Sequence, residues 1–267
     1  MLIDSHCHLD AHELGDNAAA IAAQAAESGV SWIVVPAVEV ANFDAVALLS
    51  HTIGGCVYAL GIHPMYVPKA KESDLLLLRE RIAASLSDNK LVAVGEIGLD
   101  FFVPQLAEGE LREKQEFFYS EQLKIARDFH LPVILHVRRS QDMLLKYLRR
   151  IRVVGGLAHA FNGSDQQAQA FIDLGFVLGF GGAMTFTRAL QIRRLASSLP
   201  ITALALETDA PDISPAWLHP ATNHPQQLPR IAAVLAELRG QTTAEIERQT
   251  TENVARVLPR LGSLMMA

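Results

Sequence analysis

Five histidines and several carboxylates stand where short apolar runs give way to polar residues. They are His6, His8, His63, Glu96, His136, His159, Glu207 and Asp209. Imidazole and carboxylate donors without a thiolate suit a divalent cation such as Zn, Mn, Co, Ni or Fe. His6 and His8 lie two apart on a strand-like run, so both rings point to one face. Cys7 between them has the opposite parity and reads as a small apolar residue facing the surrounding helices. Glu207 and Asp209 share a face by the same rule. Glu96 lies within Leu91-Val92-Ala93-Val94-Gly95-Glu96-Ile97-Gly98, where a carboxylate without a cation is costly to bury. The plainer uses are a salt bridge from Glu96 to an arginine such as Arg138, and hydrogen-bonded core positions for single histidines. Their common place in the repeat favours a metal site.

The elements that would position these groups alternate. Nearly continuous apolar runs predict strands near 2–9, 31–38, 56–62, 91–97, 132–137, 155–161, 176–182 and 202–208, as in parallel strands buried on both faces. Helical patterns lie between them: Asn17 to Ser28 stopping at Gly29, Asp74 to Leu86, Gly109 to Phe129, Gln141 to Arg150, Asp165 to Leu174 and Arg188 to Leu199. Two more follow, Pro225 to Arg239 and Ala244 to Leu258. This is an α/β chain, read as a single (β/α)8 TIM barrel over 1–267 with parallel strands and extra C-terminal helices. A doubly wound open sheet would bring a Gly-rich phosphate turn after its first strand, and none follows here. In such barrels the active site lies at the C-terminal strand ends. The irregular stretch from Ala210 to His224 follows the eighth strand and reads as a substrate-facing loop.

The chain has 267 residues, with 23 basic against 29 acidic and a net charge of −6. That balance speaks against an extended nucleic-acid footprint or an anionic membrane surface. Cys7 and Cys56 form no CxxC pair, which removes a disulfide framework and a thiolate zinc site. No stretch reads as a signal peptide or membrane span, and a monomer of the cytoplasm is expected.

The motifs, taken together, resemble the TatD family of metal-dependent hydrolases, almost end to end. Ile3-Asp4-Ser5-His6-Cys7-His8-Leu9-Asp10 is similar to the first family signature. Gly61-Ile62-His63-Pro64 and Gly95-Glu96-Ile97-Gly98-Leu99-Asp100 are similar to the second and third. Ile134-Leu135-His136-Val137-Arg138, His159-Ala160-Phe161-Asn162-Gly163-Ser164 and Leu206-Glu207-Thr208-Asp209-Ala210-Pro211 complete the set. Val35-Pro36-Ala37 and Asn223-x-Pro225 are most similar to the YjjV-like branch.

The resemblance implies two divalent ions (Zn, Mn or Mg), with His6 and His8 on one, His136 and His159 on the other, Glu96 bridging and Asp209 completing the first site. It implies a deoxyribonuclease of the 3′-to-5′ exonuclease kind, acting on a nucleic-acid end or small phosphodiester. Deacylation of D-aminoacyl-tRNA, an ester-carbonyl hydrolysis, is the alternative, and a non-catalytic metal-binding barrel a further one. Asp209 is placed to take a proton from water, and His63 to orient substrate or stabilise an oxyanion. Arg138 could bind an anionic group or pair with Glu96 or Glu207. Asp100 and Glu207 would orient ligating histidines, and Asn223 would contact substrate or support the site. The chain departs from the family at Thr222, where relatives carry an arginine suited to a phosphate, and at Phe101-Phe102, where many carry a tyrosine. For Phe101, Phe102, Phe161 and Trp217, packing is expected ahead of stacking on a base.

Overall fold

Short buried runs separated by amphipathic helices have one economical solution, a parallel sheet wrapped by the helices. The computed structural model describes residues 1–15 and 17–267. Its eight strands follow chain order in one parallel sheet. They are β1 (Leu2–Asp4), β2 (Val30–Pro36), β3 (Cys56–Leu60), β4 (Leu91–Asp100), β5 (Val133–Arg138), β6 (Gly156–Ala158), β7 (Phe176–Phe180) and β8 (Leu204–Leu206). The helices are α1 (Ala18–Glu27), α2 (Phe43–Thr52), α3 (Glu72–Ala84), α4 (Gly109–Asp128), α5 (Gln141–Arg150), α6 (Asp165–Asp173), α7 (Leu190–Ser198), α8 (Leu228–Arg239), α9 (Thr243–Val257) and α10 (Pro259–Met265). Where caps are strong the starts are sharp: Ser164 with Gln167 opens α6, and Thr242 with Glu245 opens α9.

Several strands are shorter than their apolar runs predict. β1 stops at Asp4 and β8 at Leu206, so His6, His8, Glu207 and Asp209 lie just beyond their strands. His6 and His8 nonetheless share a face. Ser5 N–H donates to Leu206 O on one side and Cys7 N–H to Val34 O on the other, at 3.1 Å each. The segment therefore stays extended between its neighbours, with both histidines inward and Cys7 buried. β4, by contrast, runs on to Asp100. Among the described residues no helix is long and apolar enough to cross a membrane.

Closure between β8 and β1 is made by loop backbone and one side chain. Asp209 N–H donates to His6 O at 2.9 Å and His8 N–H to Ala210 O at 2.8 Å. The buried carboxylate of Asp4 accepts from Thr208 N–H at 2.9 Å and from Thr208 Oγ1 at 2.5 Å. Losing these acceptors strands two buried donors. Asp4→Ala is therefore expected to cost about 3 kcal/mol and roughly 10 °C in Tm, read by thermal unfolding in chelator. A loss under about 1 kcal/mol would remove Asp4 as the clasp.

One barrel end is plugged. Val254, Val257, Leu258 and Leu261 of the last helices pack on inward strand residues such as Ile3, Val34, Val92 and Ala205. Asn253 Nδ2 donates to Leu204 O at 2.8 Å, and Arg260 Nη1 to Leu91 O at 3.1 Å, both at strand starts. The extra helices thus seal the N-terminal end, and only the C-terminal end is left for a site. Of these, α10 carries no clear signal in the sequence.

Candidate metal centre

The strand ends bring the polar residues onto one carboxylate. Glu96 Oε1 lies 2.9 Å from His136 Nδ1, 2.9 Å from His159 Nε2 and 3.3 Å from His63 Nε2. Its Oε2 lies 3.0 Å from His6 Nε2 and 3.4 Å from His8 Nε2. Asp209 Oδ1 reaches the same two rings at 3.6 and 3.9 Å. Asp209 adopts a left-handed backbone, φ 55°, which turns the chain at the end of β8. Three ligand-spaced groups result: His6, His8 and Asp209; His6, Glu96 and His159; His63, Glu96 and His136. Arg138 is not the partner of Glu96 or Glu207. Its nearest carboxylate is Asp100, at 3.6 Å.

These residues fit cations. Glu96 Oε2, His6 Nδ1 and His159 Nδ1 are buried without an aligned hydrogen bond, although His6 Nε2 is close to Oε2. His6 Nε2 and His8 Nε2 are 3.3 Å apart, and His63 Nε2 and His136 Nδ1 3.0 Å apart. With its proton on Nε2 towards Asp100, His136 turns a lone pair at Nδ1 to Glu96 Oε1 2.9 Å away, and two lone pairs so placed need a cation or a proton between them. A cation accepts the surplus lone pairs.

Without cations, protons take that place. Burial lowers the affinity of His8 for a proton, but Glu96 and Asp209 outweigh it and raise its pKa to about 9. His159 is held well above the usual histidine range by Glu96 and Asp209, again against burial. Burial drives His6 down to about 3 and His63 down to about 4. Glu96 is buried, yet the surrounding imidazoles hold it well below the usual carboxylate range. Burial raises Asp209 to about 6, opposed by His159 and His8.

The surrounding contacts orient the rings. Asp100 Oδ2 lies 3.1 Å from His136 Nε2, so an N–H there leaves Nδ1 free to face Glu96. Burial raises the Asp100 carboxyl, but hydrogen bonds from His136 and from backbone N–H groups bring it down to about 2. Glu207 Oε1 is 3.7 Å from His159 Nδ1 and accepts from Ala160 N–H at 2.5 Å. Room for that carboxylate comes from Gly179, where a Cβ would sit 2.0 Å from Glu207 Oε2. His63 is wired in the opposite sense. Its Nδ1 accepts from Met65 N–H at 3.1 Å, so in the neutral ring Nε2 carries the proton and faces Glu96 as a donor.

Asn223 does not touch the cavity. It is buried, and its Nδ2 donates to Thr208 O at 2.8 Å and Asp212 O at 3.0 Å. It stitches the loop that carries Asp209. Three contributors are not foreseen from the motifs: Asp4, Gln115 and Gln122. Gln122 Oε1 accepts from Ile62 N–H at 2.7 Å, beside His63, and Gln115 Oε1 from Asp100 N–H at 3.0 Å. Their signal is two polar residues a heptad apart on the buried face of α4. Among the four aromatics in question, Phe161 is buried against Phe171 and Trp217 lies under Arg230. Phe102 alone of them lines the cavity above Glu96, a space of about 1370 Å³.

The chain matches the family described as TatD related DNase over residues 3–259. It is 41% identical over 254 residues to the uncharacterized metal-dependent hydrolase YjjV of Escherichia coli (strain K12), covering 94% of this chain and 95% of that protein. The crystal structure of Escherichia coli K12 YjjV superposes with a TM-score of 0.89 at 38% identity, over 97% of this chain and 98% of that one. Deoxyribonuclease TATDN3 of Homo sapiens is 28% identical over 269 residues, covering 99% of this chain and 97% of that protein.

Proposed function

The chain belongs to the TatD family of metal-dependent hydrolases, and on that premise we propose that it hydrolyses phosphodiester bonds at a nucleic-acid end. The observation that carries this reading is the buried Glu96 carboxylate, whose Oε2 has no aligned hydrogen bond though imidazole nitrogens converge on it beneath an open cavity. The name of the human relative, a deoxyribonuclease, supports the choice of substrate class.

In this reading His6, His8 and Asp209 would hold one divalent ion and His136 and His159 a second, with Glu96 available to both. The cations, when bound, supply an activated water and neutralise charge on the transferring phosphoryl group. Asp209 would act as the base that accepts a proton from the attacking water, since it lines the cavity just beyond β8. His63 donates from Nε2 towards the oxygen that gains charge. Asp100 and Glu207 keep the ligating rings turned, and Asn223 and Asp4 fix the turn bearing Asp209.

The wiring of His63 makes a separable prediction. His6→Ala weakens metal binding by about 100-fold or more, whereas His63→Ala keeps the metal and loses about 10- to 100-fold in kcat. Metal titration and steady-state kinetics check both. Equal losses of metal would make His63 a ligand.

A carbonyl-ester reading uses the same donors. Lys90, just before β4, lies at the opposite barrel end from these donors. Its ammonium donates to the Ser50 carbonyl near the end of α2 and to the Cys56 carbonyl at the start of β3. Assays of 3′-labelled single-stranded DNA, a chromogenic phosphodiester and a D-aminoacyl-tRNA with Mg, Mn and Zn separate the two. Metal-dependent release from the labelled end is expected. Turnover of the aminoacyl ester alone would overturn the phosphodiester reading.

A further inference from the structure

One wall of the cavity above Glu96 is left over by the hydrolytic centre. Arg138 ends β5 and Arg139 follows it, so an extended backbone would send their side chains to opposite faces. Arg139 instead adopts a left-handed backbone, φ 55°, and both guanidinium groups turn onto one ring. Arg138 Cζ lies 3.9 Å and Arg139 Cζ 4.7 Å from the centroid of Phe102. Phe102 stays 45% exposed, and all three residues line the cavity.

A guanidinium resting on an aromatic ring keeps its N–H edges free, and that fork matches the oxygens of a phosphate. Arg138 has only the distant contact to Asp100, and Arg139 has no carboxylate partner among the described residues. Among the described residues these two are the only arginines or lysines lining the cavity. Asp10, Glu13, Glu39 and Asp212 line it as well. The charge is therefore divided, and a chain of phosphates is drawn towards the two arginines. The rim is also tied to the centre, because Arg138 approaches Asp100 at 3.6 Å and Asp100 approaches His136 at 3.1 Å.

We propose that Arg138, Arg139 and Phe102 form a subsite for a second phosphate of the substrate, next to the one at the metal centre. Phe102 is the platform and the guanidinium edges are the ligands. The inference rests on the phosphodiesterase reading and adds to it a preference for substrates that carry a second phosphate.

The test compares thymidine 3′,5′-bisphosphate with thymidine 5′-monophosphate, bound to the Zn-loaded protein and followed by calorimetry. The bisphosphate is expected to bind about tenfold more tightly or better. Arg139→Ala brings the two ligands to within about twofold, and Arg139→Lys, which keeps charge but not the fork, falls between. Arg150→Ala removes the same charge from the outer end of α5 and leaves the ratio intact. Equal affinities in the unaltered protein overturn the proposal. So does an unchanged ratio in Arg139→Ala, or an equal loss in Arg150→Ala. Hydrolysis of bis(p-nitrophenyl) phosphate is read separately. Turnover without a bisphosphate preference removes the subsite and keeps the phosphodiesterase reading. A bisphosphate preference without turnover removes that reading and keeps the subsite.

Discussion

Glu96→Gln is expected to lose about 1,000-fold in kcat, equivalent to roughly 4 kcal/mol of transition-state stabilisation. The substitution is nearly isosteric, so packing within β4 is preserved. What changes is charge and donor capacity. Both carboxylate oxygens face imidazole nitrogens within 3.4 Å, Oε1 towards β3, β5 and β6 and Oε2 towards β1. An amide offers only one acceptor atom, and its NH2 would point at nitrogens that themselves need a cation. Metal content should therefore fall with activity, and elemental analysis alongside kinetics reads both. A Glu96→Gln protein with full metal content and only a few-fold lower kcat would show that Glu96 spans no pair of ions.

Asp209→Asn is expected to lose about 100- to 10,000-fold in kcat while keeping the fold and most of the metal. Asparagine tolerates the left-handed backbone that residue 209 requires, and it keeps one oxygen for ligation. It cannot accept the proton. The pH dependence carries the same signature. A carboxylate acts as a base only when ionised, so activity falls as pH drops through its pKa. Burial sets that pKa at about 6 in the absence of cations, and neighbouring cations move it lower. The acid limb of the wild-type profile should therefore lie below pH 6, and the Asn variant should lack the component due to Asp209. Undiminished turnover in the variant would take Asp209 out of proton transfer.

Much of this arrangement is legible in the amino-acid sequence because parallel strands buried on both faces leave few polar residues to explain. A histidine or glutamate at the end of an apolar run stands out, and His6, Glu96, His136 and His159 do so. The parity of His6 and His8 holds even though β1 ends at Asp4, since the following residues remain hydrogen-bonded to both neighbours. Other features depend on three-dimensional closure. Asp4 looks like any polar residue ending a strand until Thr208 meets it across the β8–β1 gap. Asn223 reads equally well as a substrate contact and as loop stitching, and only the loop path decides. The tautomer sense of His63 follows from a turn that brings Met65 N–H under the ring. Arg139 is hidden for a related reason. Its role follows from a left-handed backbone, which residue type does not announce.

The most direct measurement of the central claim is a titration of metal-stripped protein with Zn or Mn, following hydrolysis of bis(p-nitrophenyl) phosphate at each ratio. Activity is expected to be absent without metal and to rise to a plateau at about two ions per chain, because two sets of donors share Glu96. Phosphodiester hydrolysis that is complete without metal or with one equivalent, or that never appears at any loading, would contradict it.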